Sequence, residues 1–109
     1  MSQKPEEFPL NISVSNQSLA LQTVNVEVKL DGRQVFSREL RTGTQHTWEQ
    51  LTLSVAAGAH AVEVTESQTG ATREHQFNVA GELNLIITFQ SPPPQIDVTE
   101  VGGGQVGYI

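Results

Sequence analysis

Apolar and polar residues alternate through most of this chain. Leu10, Ile12 and Val14 share one parity, while Asn11, Ser13 and Ser15 take the other. A period of two marks a strand with one buried face. The stretch Asn16-Gln17-Ser18 interrupts it and predicts a bulge or turn. Val24, Val26, Val28 and Leu30 then alternate with Asn25, Glu27 and Lys29, the cleanest strand pattern in the sequence. Asp31-Gly32 ends it. That dipeptide is a strong hairpin signal, because glycine accepts positive φ at low cost. The return strand, residues 34–40, has two registers open to it. One turns Val35 inward. The other turns Phe36 and Leu40 inward and is expected, because it buries more apolar surface.

The same alternation continues. Turn residues at 41–44 precede a strand over Thr47–Val55, with Leu51, Leu53 and Val55 inward. Ala57-Gly58 turns the chain, and Val62 and Val64 face the core against Glu63 and Thr65. Ser67-Gln68-Thr69-Gly70 reads as a hairpin turn into Thr72–Val79, with Phe77 and Val79 inward. After Ala80-Gly81, Leu83, Leu85, Ile87 and Phe89 form the last strong strand, where Ile86 leaves the alternation. No stretch of about a dozen residues has a helical period. Seven short strands with turn signals about every 8–12 residues predict an all-β fold, a two-sheet antiparallel β-sandwich. A closed barrel is the rival.

The pattern divides the chain into a sandwich domain over residues 1–90, with residues 1–7 as a polar lead-in, and a tail over 91–109. Ser91-Pro92-Pro93-Pro94 reads as a semi-rigid polyproline spacer. Beyond it, Ile96 and Val98 alternate with Asp97 and Thr99, which suggests an eighth strand near 95–101. Such a strand pairs either with its own sheet edge or with the edge of another molecule. Gly102-Gly103-Gly104 and a final Val106-Gly107-Tyr108-Ile109 complete the tail.

Four segments taken in order, Val14–Ser18, Leu30–Val35, Gln45–Trp48 and Gly58–Val64, resemble small bacterial immunoglobulin-like or fibronectin-type-III-like domains. The resemblance spans roughly residues 10–89. It implies an immunoglobulin-like sandwich with a non-catalytic binding or spacer role, and it supplies no active-site residues. The Gly-rich tail and the absence of cysteine depart from it.

Composition narrows the functions. Six Lys and Arg stand against 12 Asp and Glu, for a net charge of −6. The cations are also scattered. Phosphate contacts need clustered cations, so neither nucleic acid nor an anionic membrane is an expected partner. Cysteine is absent, which excludes disulfides, thiolate nucleophiles and Cys-ligated zinc. The N-terminus lacks the basic-then-apolar pattern of a signal peptide, and no segment approaches the roughly 20 apolar residues of a membrane span. A cytoplasmic location is the expectation. Two Asn-x-Ser triplets, at Asn11 and Asn16, match the glycosylation pattern but are set aside without a secretory signal.

The chemistry on offer is sparse. His60 shares parity with Val62 and Val64, and His75 with Phe77 and Val79. A near-register hairpin would put both rings on the inner face within a rung or two. They are weak metal candidates, because a catalytic zinc site needs a third protein ligand and nothing places His46 nearby. The expected role is half-buried rim histidines bonded to backbone, with no cofactor. No Gly-x-Ser-x-Gly elbow is present. Glu6, Glu7, Glu63 and Glu66 fall on expected exposed faces or in the lead-in, away from the apolar pocket that a general acid needs. An enzyme is therefore not expected. A protein-interaction or structural module is, with association through an edge strand, self-association included. The alternative is a sandwich that binds carbohydrate, a small ligand or a metal. The candidate interaction surface comprises Trp48, Ile96, Val98 and Tyr108.

Trp48 is the single tryptophan, and its parity opposes Leu51 and Leu53. Read literally, that parity puts the ring in solvent. A bulge between Trp48 and Leu51 would turn it into the core, where sandwiches commonly hold one tryptophan. The core placement is favoured and predicts blue-shifted intrinsic fluorescence. An emission maximum near that of free tryptophan would overturn it.

Overall fold

A computed structural model describes residues 6–17, 23–41, 49–91 and 93–102. Eight strands are present among them: β1 (Glu7–Asn16), β2 (Thr23–Leu30), β3 (Arg33–Arg41), β4 (Glu49–Ala56), β5 (Gly58–Glu66), β6 (Thr72–Val79), β7 (Leu83–Gln90) and β8 (Gln95–Gly102). They form two four-stranded sheets, ordered β4-β1-β7-β8 and β3-β2-β5-β6. The first is called sheet A and the second sheet B. All pairings are antiparallel except β1 with β7. The fold is an all-β two-sheet sandwich. No helix of the described residues is long and apolar enough to cross a membrane.

The strand order is not that of an immunoglobulin constant domain. There the first, second, fifth and fourth strands share one sheet. Here β2 and β5 remain neighbours, but β1 and β4 lie in the opposite sheet.

The inner faces follow the alternation. Leu10, Ile12 and Val14 of β1 are fully buried, as are Val24 and Val28 of β2 and Val62 and Val64 of β5. Leu85, Ile87 and Phe89 complete the core from β7. Leu51 and Leu53 on the edge strand β4 are half-buried, and Val55 is buried. Asp31 and Gly32 adopt φ of 51° and 83°, the two positive values that a type I′ hairpin turn requires. In β3 the register shifts so that Val28 opposes Phe36 while Lys29 opposes Gln34. Val35 is therefore an extra, bulged residue. Phe36 and Leu40 are buried as expected, and the bulge lets Val35 also pack on the core.

Gln90 pairs with Gln95, so β8 folds straight back onto β7 instead of being held away from it by a spacer, and Ser91 is buried. The eighth strand pairs with its own sheet. Phe89 lies opposite Ile96 and Ile87 opposite Val98. Ile96 is 4% exposed, a core residue, which removes it from any interaction surface. Val98 is half-buried and packs on the core. Trp48 and Tyr108 lie outside the described residues.

The open sides of the sandwich are laced by inward-parity charges on edge strands. Arg38 of β3 meets Glu49 of β4 at 3.4 Å. His75 of β6 meets Glu100 of β8 at 2.7 Å. Both pairs join one sheet to the other.

Ile12 sits in the middle of β1, flanked by β4 and β7, with no exposed surface. Ile12→Ala should lower unfolding free energy by about 2–5 kcal/mol in urea titrations. A loss under about 1 kcal/mol would contradict the core placement.

Candidate functional site

The ionisable groups that the fold gathers lie along the inner face of β5 and β6. At the start of β5, His60 is only 14% exposed. Its Nδ1 lies 2.6 Å from Asp31 Oδ2, and its Nε2 lies 2.6 Å from the carbonyl oxygen of Ala56. Asp31 is placed by its turn. Its N–H donates to Ala61 O at 2.8 Å, and its Oδ1 accepts the Ala61 N–H at 2.9 Å. Hydrogen bonds to Asp31 and then to the Ala56 carbonyl raise the His60 pKa, against the opposing effect of burial. Burial works to raise the Asp31 pKa, but bonds from His60 and Ala61 and the imidazole's charge outweigh it and hold the pKa low.

His60 opposes Phe77 and Val62 opposes His75, so the two histidines are one inner-face rung apart, as their parity implied. They do not meet. The Phe77 ring stands between them, 5.8 Å from His60 and 6.4 Å from His75, stacked with both. Each imidazole already holds a carboxylate, Asp31 for one and Glu100 for the other. Among the described residues no group of three or more His, Asp or Glu could hold a metal ion. The arrangement is two rim imidazole–carboxylate contacts on one aromatic ring.

At the other end of β5, the carboxylate of Glu66 corrects the expectation of an exposed face. Glu66 is fully buried. Its Oε2 accepts from the N–H of Asn25 at 2.9 Å and of Gln68 at 3.0 Å. Its Oε1 accepts from the N–H of Thr69 at 2.7 Å and the Thr69 hydroxyl at 2.8 Å. Burial pushes its pKa up, but these bonds together win and hold it low. The carboxylate ties the β5–β6 turn to the start of β2. A signal was present, since Glu66 shares parity with Val62 and Val64. Glu63, of the other parity, is exposed.

The remaining candidates disperse. Glu6 and Glu7 are exposed. Asn11 Nδ2 donates to Glu82 at 3.0 Å and its Oδ1 accepts from Thr52 at 2.8 Å, while Asn16 is buried with Nδ2 on Leu40 O at 3.3 Å. The amides of both Asn-x-Ser triplets are thus engaged within the sandwich. Phe36, Phe77 and Phe89 are buried and Phe8 is half-buried, so the described residues hold no exposed aromatic row for sugar stacking. A shallow depression of about 300 Å³ opens between β3 and β4, over Leu30, Val35, Leu53 and Val55, with Asp31 and Arg33 at its rim. No buried side-chain nitrogen or oxygen in the described residues lacks a hydrogen-bond partner.

No protein-family model and no curated protein sequence matches the chain.

Glu66→Gln puts an NH₂ donor against backbone donors. It should cost about 1–3 kcal/mol in chemical denaturation at pH 7. Because the folded pKa is depressed, the Glu66 contribution is present above about 4.3 and is lost as pH falls through the folded value. The wild type should therefore lose part of its advantage over Glu66→Gln below that pH. An unchanged difference down to pH 2 would count against the assignment.

Proposed function

We propose that this domain is a non-catalytic protein-interaction or structural module. In this reading it is a sandwich of the general kind that immunoglobulin-like domains exemplify, and its working parts are the edges of sheet A. The observation that carries the reading is an asymmetry in how the four edge strands are guarded. Free strand edges recruit other strands unless charges, proline or bulges discourage pairing. In sheet B, β3 carries the Val35 bulge together with Arg33, Arg38 and Glu39. The other edge, β6, carries Arg73, Glu74 and His75 in succession.

The edges of sheet A are plainer. The register of β4 on β1 is unbroken, and Glu49 is its one charged residue. The register of β8 on β7 is also unbroken, and β8 carries Asp97 and Glu100 but no cation or proline. An extended segment added to such an edge gains main-chain hydrogen bonds, with side-chain pockets supplying specificity. A second copy of this chain is one source of that segment, and a peptide of another protein is the other. Nothing basic enough for nucleic acid lies along either edge.

Thr99 on β8 is exposed and sits on the outer face opposite Ile86. Thr99→Lys adds the kind of charge that natural edge strands use to block pairing. The wild type should associate with rising concentration in sedimentation equilibrium, and Thr99→Lys should weaken that association at least about tenfold without lowering thermal stability. A wild type that stays monomeric at roughly 1 mM, and whose β8 amides show no shift on adding extended peptides, would sink the reading.

A further inference from the structure

The chain passes from sheet A to sheet B at a tight corner. Ala57 alone separates β4 from β5. Gly58 follows at a φ of 119°, a value that residues with a Cβ rarely adopt. The Ala57 N–H is held by the Glu6 carbonyl oxygen at 2.9 Å. His60 reaches back to this corner through Ala56 O and sideways to the β2–β3 turn through Asp31, each at 2.6 Å.

Both of those partners are oxygens that only accept. A carbonyl never donates, and an ionised carboxylate has no proton to give. Satisfying both therefore requires N–H on both imidazole nitrogens, which is the cation. We propose that His60 is a proton-operated clasp. Protonated, it locks the β4–β5 corner to the β2–β3 hairpin; deprotonated, it lets the corner go and loosens the adjoining end of β4. The inference rests on the fold and is independent of the interaction role argued above.

The direction of release follows from bond strength. A neutral imidazole keeps one N–H. A bond to a carboxylate is roughly twice as strong as one between neutral groups, so the proton stays on Nδ1 facing Asp31. The Nε2 lone pair then faces the Ala56 carbonyl oxygen at a distance where two acceptors repel. The corner separates, and the hairpin stays attached. Asp31 also rims the depression between β3 and β4, as do Leu53 and Val55, so release would alter the shape of that depression.

Few charges face the ring. Asp31 does so from the β2–β3 turn, with Arg33 of β3 along the same rim. From β6, His75 stands beyond Phe77, with Glu100 of β8 bonded behind it. β4 offers the Ala56 carbonyl, and Glu63 of β5 points to the other face. Asp31 is the charge that acts on His60.

The pH window has two limits. The His60 pKa is raised on folding, so its contribution is complete below about 6.5 and is lost as pH rises through the folded value. The Asp31 pKa is lowered, so its contribution is complete above about 3.9 and is lost as pH falls through the folded value. The clasp is closed between those limits and opens on the alkaline side.

The test is NMR of the imidazole nitrogens, with amide hydrogen exchange corrected for intrinsic rates, from pH 5 to 9. The expected result is a His60 protonated on both nitrogens at pH 6 and titrating above 6.5. Protection of the Ala57 amide should fall at least about tenfold through that titration, while Val26 and Val28 stay protected. Asp31→Asn should lower the titration point by about one unit, tenfold in proton affinity. A His60 that titrates at or below 6.5 would overturn the proposal, as would flat protection at Ala57. So would a titration that Asp31→Asn leaves unmoved. If that variant does not fold, the wild-type titration and exchange decide alone.

Discussion

The inner face of β5 carries a charged residue near its start and another at its end. Between His60 and Glu66 lie Val62 and Val64, both fully buried. A strand in this position runs from one rim of the sandwich to the other, and backbone N–H groups at and beyond its ends are satisfied by side chains. Where such a group is buried, leaving it unpaired costs about 1–3 kcal/mol. Asp31 covers the Ala61 N–H at one end, and Glu66 covers those of Asn25, Gln68 and Thr69 at the other. Carboxylates thus cap both ends of the apolar stripe, Glu66 from a buried position and Asp31 from an exposed one. Three turns depend on this arrangement: β2–β3, β5–β6 and the single-residue corner at Ala57.

A similar economy shapes the open sides. A two-sheet sandwich leaves rims where inner-face positions border water. This chain places charged residues there, Arg38 with Glu49 on one side and His75 with Glu100 on the other. Exposed pairs of this kind add little to stability, because solvent screens them. Their inward parity puts them at the rim, where each pair bridges the gap between the two sheets. The rim histidines follow the same logic, and their hydrogen bonds leave them no free nitrogen pair to offer a metal.

Much of the layering was legible in the chain. Alternation put Leu10, Ile12, Val14, Val24, Val26, Val28 and Leu30 inside, and Asp31-Gly32 fixed a hairpin, because both signals are local. Parity also put His60 and His75 on one face. The bulge at Val35 was not legible, since an extra residue is defined only against a partner strand. The charge of Glu66 points to an exposed face while its parity points inward; what offsets its burial is a set of donors from Asn25, Gln68 and Thr69, and Asn25 lies forty-one residues away. The proline run before β8 reads as a spacer, yet Gln90 pairs with Gln95 and β8 lies against β7.

By itself the sequence determined which residues are apolar at every second position, where the chain can turn tightly, and hence an all-β sandwich with hairpins β2–β3 and β5–β6. Those features depend on neighbours in the chain. The tertiary structure alone decided that β1 lies parallel to β7, that β2 lies beside β5, and that β8 completes sheet A rather than standing free. It also decided that two carboxylates and two imidazoles seal the ends and rim of one stripe. Pairings between distant strands are set by which faces can be buried together and which polar groups can be satisfied there, and no single stretch of chain contains that information.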